Sequence, residues 1–128
     1  MSMKSKNVLY FTQREEEFAD LLTKIGIKRN VSKVLVYLAN TPEATSRDIE
    51  RGTDLRQPEV SIAMAAMMEQ KWVESRENKA ENKGRPVKIY KLALPINEIM
   101  DNIERNKRAE ANNQLKMIKQ LRDYIGES

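Results

Sequence analysis

Between Pro95 and Gly126 the chain runs for thirty residues without a glycine or a proline. Nothing there interrupts a helix, so the sequence predicts one of about 30 residues, roughly 45 Å long at 1.5 Å per residue. Its apolar residues fall into two clusters, Ile96, Ile99, Met100 and Ile103, then Leu115, Met117, Ile118, Leu121 and Ile125. The stretch between them, Glu104 to Glu110, is almost entirely charged. A rod of this length cannot bury both clusters on a domain built from residues 1–94. The second cluster calls for another chain, for the first helix folded back onto it, or for both. Residues 95–128 are therefore expected to join two copies, through Ile103, Leu115, Ile118, Leu121 and Ile125, with Phe18 and Leu22 of the first helix. A helix broken near Asn106 and packed on its own domain is the alternative.

Residues 1–94 are expected to form a single domain of short elements. Thr12 and Glu15 have the spacing of a capping box, followed by Phe18, Leu21, Leu22 and Ile25 on one helical face and a stop at Gly26. Val31, Val34, Leu35 and Leu38 repeat the pattern after a cap at Asn30. Thr45 and Asp48 open a third, short helix that ends at Gly52-Thr53. Pro58 opens a fourth, with Val60, Ala63, Met64 and Met67 inward and an end near Lys71; the stripe of Met64, Met67 and Met68 reads as core packing. The period then changes. Trp72 to Glu77 is strand-like, Val87 to Leu92 nearly alternates, and Asn78 to Pro86 is the tip of a hairpin. The expected fold is mainly α with a small β-hairpin wing: a winged helix-turn-helix carrying a long C-terminal dimerisation helix.

Composition removes whole classes of chemistry. The chain has no cysteine and no histidine, which excludes thiolate and imidazole metal sites, disulfides and histidine catalysis. Asp48, Glu50 and Asp54 lie close in sequence but have neither a glycine-bearing metal loop nor a nucleophile beside them, and read as a solvated face. No enzyme, metal or cofactor is expected. No apolar run approaches the roughly 20 residues of a membrane span, and Met1 to Lys6 lacks the apolar core of a signal peptide, so a cytoplasmic protein is expected. The net charge is only +4, but Arg76, Lys79, Lys83, Arg85, Lys88 and Lys91 face just Glu77 and Glu81 in their stretch, a local excess equal to that of the whole chain. Such a stripe suits phosphates; a solvated hairpin looks the same.

The fourth helix, about residues 57–71, is expected in the DNA major groove. Arg56 suits guanine, Gln57 adenine, and Ser61 several bases; Glu59 suits cytosine N4 or simply the helix dipole. Arg56 contacting phosphate and Ser61 serving the local backbone are the plainer alternatives. Ile62 and Ala65 could touch thymine methyls and allow close approach to the groove. Pro58, Ile62 and Ala65 offer no hydrogen bonds, so base reading would be sparse, and a protein-binding face has the same look. On the wing, about residues 78–86, Lys79, Lys83 and Arg85 are expected on the backbone or in the minor groove, with Lys88 adding a phosphate contact. Thr45, Ser46 and Arg47 open a helix whose N–H groups could bind phosphate, though capping explains Thr45 equally well.

The run Leu55-Arg56-Gln57-Pro58-Glu59-Val60-Ser61, with Met64, Met67 and Trp72-Val73, resembles the recognition-helix signature of ArsR-type regulators. Lys83-Gly84-Arg85-Pro86-Val87-Lys88-Ile89-Tyr90 resembles the wing and second strand of TrmB-like and other MarR-related winged-helix regulators, many of them archaeal. The resemblance covers about residues 28 to 95. It implies a transcriptional regulator that binds double-stranded DNA, as a homodimer on a pseudo-palindromic operator. Thr45 to Asp54 has no cysteine motif, so metal sensing is not implied, and the tail is a helix rather than the large effector domain of the sugar sensors. Any small-molecule effector is left open. A winged helix used as a protein-interaction module in transcription or replication machinery is the second reading, and RNA binding a weaker third.

Overall fold

The computed structural model describes residues 11–78 and 86–126. The chain divides into two compact units that meet between Leu94 and Pro95. In the first, α1 (Gln13–Lys24), α2 (Arg29–Ala39), β1 (Ala44–Thr45), α3 (Ser46–Thr53) and α4 (Gln57–Glu69) precede β2 (Val73–Asn78) and β3 (Val87–Leu92). The second unit is one helix, α5 (Ile96–Ile125), closed by Gly126 in the left-handed conformation. It is unbroken at Asn106.

The N-termini follow from local chemistry. Thr12 Oγ1 accepts from the Glu15 N–H at 3.1 Å while Glu15 Oε1 accepts from the Thr12 N–H at 2.8 Å. Thr45 and Asp48 repeat this reciprocal pair at α3, at 3.1 and 3.0 Å. Loss of the cap in Thr45→Ala is expected to cost about 1 kcal/mol in urea unfolding, whereas Thr45→Ser should be close to neutral. At α4 only half of the device forms, because an arginine side chain has no acceptor: Glu59 Oε1 takes the Arg56 N–H at 2.9 Å.

Helix α2 is the hub of the first unit. It packs against α1, α3, α4 and β3, and buries Val31, Ser32, Val34, Leu35, Val36 and Leu38. Around it stand Ile49 of α3, then Val60, Ala63, Met64 and Met67 of α4, and Trp72 and Val73 at the entry to β2. Buried Ser32 is satisfied: its hydroxyl lies 3.4 Å from the Ile27 carbonyl and 3.3 Å from Thr23 Oγ1.

Several expectations are corrected. The sheet has three antiparallel strands in the order β1-β3-β2, because Ala44 and Thr45 pair with Tyr90 and Ile89 beside the hairpin. Asn30 does not cap α2 but sits inside its first turn, where its amide donates to the Glu59 carbonyl at 3.2 Å and ties α2 to the start of α4. Helix α4 begins at Gln57, one residue before Pro58, and stops at Glu69 because Lys71 turns left-handed at φ 65°. Met68 points to solvent rather than into the core. Leu22 and Ile103, expected between subunits, are 3% and 4% exposed in the single chain. Leu21, one position from Leu22, is the exposed leucine of α1.

Candidate nucleic-acid interface

Helices α3 and α4 are joined by a three-residue turn whose geometry is tightly held. Asp54 takes the left-handed conformation (φ 60°, ψ 31°), which an aspartate tolerates better than most residues. The Thr53 hydroxyl donates to the Ile49 carbonyl at 2.6 Å and accepts the Leu55 N–H at 3.3 Å. Lys33 Nζ reaches across from α2 to the Thr53 carbonyl at 3.5 Å, and Leu55 is buried. From this anchored turn α4 leaves with Val60, Ala63, Met64 and Met67 against the core. Arg56, Gln57, Pro58, Glu59, Ser61, Ile62 and Ala65 are left in solvent.

Those outward residues partly organise one another. The Gln57 amide donates to Ser61 Oγ at 2.9 Å, one turn on. Glu59 holds the Arg56 backbone, so that carboxylate is half committed before any partner arrives.

The second grouping comes from three-dimensional folding. Pairing of β1 with β3 brings the start of α3 beside the base of the wing. Thr45, Ser46, Arg47, Val87 and Lys88 line one open cleft of about 400 Å³. Thr45 serves as the cap, and Ser46 Oγ lies 3.5 Å from Glu50 Oε2, so Arg47 and Lys88 are its exposed cations. The basic stripe is otherwise thinner than its sequence suggests. Arg76 is paired with Glu43 at 2.8 Å and Lys91 with Glu74 at 3.5 Å. Lys88 stands opposite Glu77 in the β2–β3 register. Lys79, Lys83 and Arg85 lie outside the described residues.

Sequence reasoning missed the supports. Tyr37 is one: its ring lies against Gly52 of α3. Burial pushes its phenol pKa above the ordinary value, the Asp48 carboxylate adds to that, and a hydrogen bond with Thr41 opposes it. Its neutral form is therefore favoured as a platform beneath α3. Among the described residues no group of three or more carboxylates could hold a metal ion, and no helix is long and apolar enough to cross a membrane.

Residues 25–81 match the MarR family. No protein of curated function matches the chain by sequence. Among solved structures, a possible transcriptional regulator from Methanosarcina mazei Go1 superimposes with a TM-score of 0.62 at 16% identity, over 78% of this chain and 83% of that one. TrmBL2, an archaeal chromatin protein described as showing a novel mode of DNA binding, gives 0.67 at 11% identity. That match covers 87% of this chain but only 40% of TrmBL2. Wild-type apo MarR from E. coli gives 0.51 at 16% identity, over 88% and 89% of the two chains. At such identities the likeness is one of fold. The expected winged helix with a long C-terminal helix is borne out.

Proposed function

We propose that the chain, whose residues 25–81 match the MarR family, is a cytoplasmic transcriptional regulator that binds double-stranded DNA as a homodimer. The observation that carries this reading is the division of α4. Its apolar side is locked into the core, and the whole set Arg56, Gln57, Glu59, Ser61 and Ile62 stands exposed beyond a rigid turn. In this arrangement α4 enters the major groove and the wing follows the backbone or minor groove. Arg47 and Lys88 hold a phosphate between them at the α3–β3 cleft. Two-fold symmetry then sets operator half-sites one helical turn, or a multiple of it, apart.

Fluorescence anisotropy with a random-sequence duplex across a salt series tests the reading. Affinity should fall steeply with salt, and Arg47→Ala/Lys88→Ala should reduce the slope of log K against log salt by about 1, for the one phosphate the pair holds. Lys83→Ala/Arg85→Ala gives the matching test for the wing. Absence of binding at low salt overturns the reading and leaves a protein-interaction module, for which exposed Ile62 on α4 would be the first contact to probe.

A further inference from the structure

The outward side of α4 carries no cation between Gln57 and Glu69. Helical geometry puts Pro58, Ile62, Ala65 and Glu69 along its outer line, opposite Val60, Ala63, Met64 and Met67, and the two sets are exposed and buried accordingly. Hydrogen-bonding capacity lies at the two ends of the helix, in Gln57, Glu59 and Ser61 at its start and in Glu69 at its close. Gln57 and Ser61 share one bond and keep further donors and acceptors, and Glu59 is already bound to the Arg56 backbone. The next turn presents Ile62, 60% exposed, and the small side chain of Ala65.

A groove-facing turn of this kind can only recognise something apolar. Among the base edges of the major groove the one apolar group is the 5-methyl of thymine. Building on the DNA-binding reading above, we propose that the chain selects thymine through Ile62. The isoleucine packs on the 5-methyl, and Ala65 leaves room for the helix to come close. Each favoured half-site then carries thymine under the second turn of α4, beside the bases that Gln57 and Ser61 face. Affinity for phosphate comes from elsewhere, from Arg47 and Lys88, since Glu59 and Glu69 make α4 itself a poor neighbour for the backbone.

The test is selection of duplexes from a randomised pool by the full chain, followed by titration of the selected duplex and of its counterpart with uracil replacing each enriched thymine. Uracil removes only the methyl. The wild type should lose about fourfold in affinity per buried methyl, while Ile62→Ala binds thymine and uracil duplexes alike. Because Ile62 is exposed, Ile62→Ala should melt at the wild-type temperature, which separates lost contact from lost fold. Duplexes that are enriched yet bind equally well with uracil overturn the methyl reading and leave DNA binding standing. An equal uracil penalty in Ile62→Ala overturns the assignment to this residue. A pool that is bound but in which nothing is enriched overturns the selection of thymine alone, and a pool that is not bound even at low salt overturns the DNA-binding reading with it.

Discussion

Gly52→Ala is expected to lower the melting temperature by about 5 °C, although helix propensity alone favours alanine at an interior helical position. The reason is the Tyr37 ring. A Cβ on Gly52 would fall 2.9 Å from Tyr37 Cζ and closer still to Cε1 and Cδ1, inside any real carbon–carbon contact. The ring is half-buried, and the hydrogen bond between its hydroxyl and Thr41 restrains it from swinging aside. Overpacking of this kind typically costs about 1–3 kcal/mol, more than the roughly 1 kcal/mol that alanine gains over glycine in a helix. A double mutant decides between the two effects. In a Tyr37→Leu background the obstructing ring is gone, so Gly52→Ala should become neutral or stabilising. If the penalty persists there, the contact is not its cause. The same contact controls where α3 sits, so Gly52→Ala is also expected to weaken DNA binding at temperatures where the protein remains folded.

What could be read from sequence followed the range of the interaction. The capping pairs Thr12/Glu15 and Thr45/Asp48 span three residues and were legible, as were the near-alternation of Val87 to Leu92 and the uninterrupted run that becomes α5. The inward face of α4 showed in its spacing. Strand β1 did not, because two residues carry no period, and its existence depends on a partner 46 positions away, Ala44 on Tyr90. The ion pair of Arg76 with Glu43 is hidden for the same reason, so the local charge of the 76–91 stretch overstates what is free to meet phosphate. The cleft shared by Arg47 and Lys88 inherits that limit: each residue was a plausible contact alone, and only the β1–β3 pairing makes them one site. Leu22 and Met68 show the remaining weakness. Each sits at the margin of an apolar stripe, where a rotation of one residue decides between core and solvent.

Leu121→Glu is expected to convert the dimer to a monomer without unfolding either unit. Along α5 the apolar residues keep one side of the helix: Ile99 and Ile103 are buried, whereas Leu115, Ile118, Leu121 and Ile125 lie 47–72% exposed. Between the two groups the Arg108–Glu104 and Lys107–Glu110 pairs sit in solvent, as a charged stretch should. Four large apolar side chains at three- and four-residue spacing on a 30-residue helix have the pattern of a helix–helix seam, and they are the seam of the proposed dimer. Burying each contributes about 1.5–3 kcal/mol, and two-fold symmetry makes every substitution count twice. Replacing Leu121 therefore removes two apolar contacts and places two carboxylates in the seam, a loss of about 4 kcal/mol or more, or roughly a thousandfold in the dimer dissociation constant. Lys119→Gln, on the other side of the helix, lowers the charge by the same one unit and should leave the dimer intact. Sedimentation equilibrium reads the mass directly, and thermal melting shows whether the fold survives. A wild-type chain that sediments as a monomer sinks the dimer and with it the two-half-site operator. In the expected case, Leu121→Glu keeps the salt-dependent binding of a single domain and loses the added affinity of a duplex that spans both half-sites.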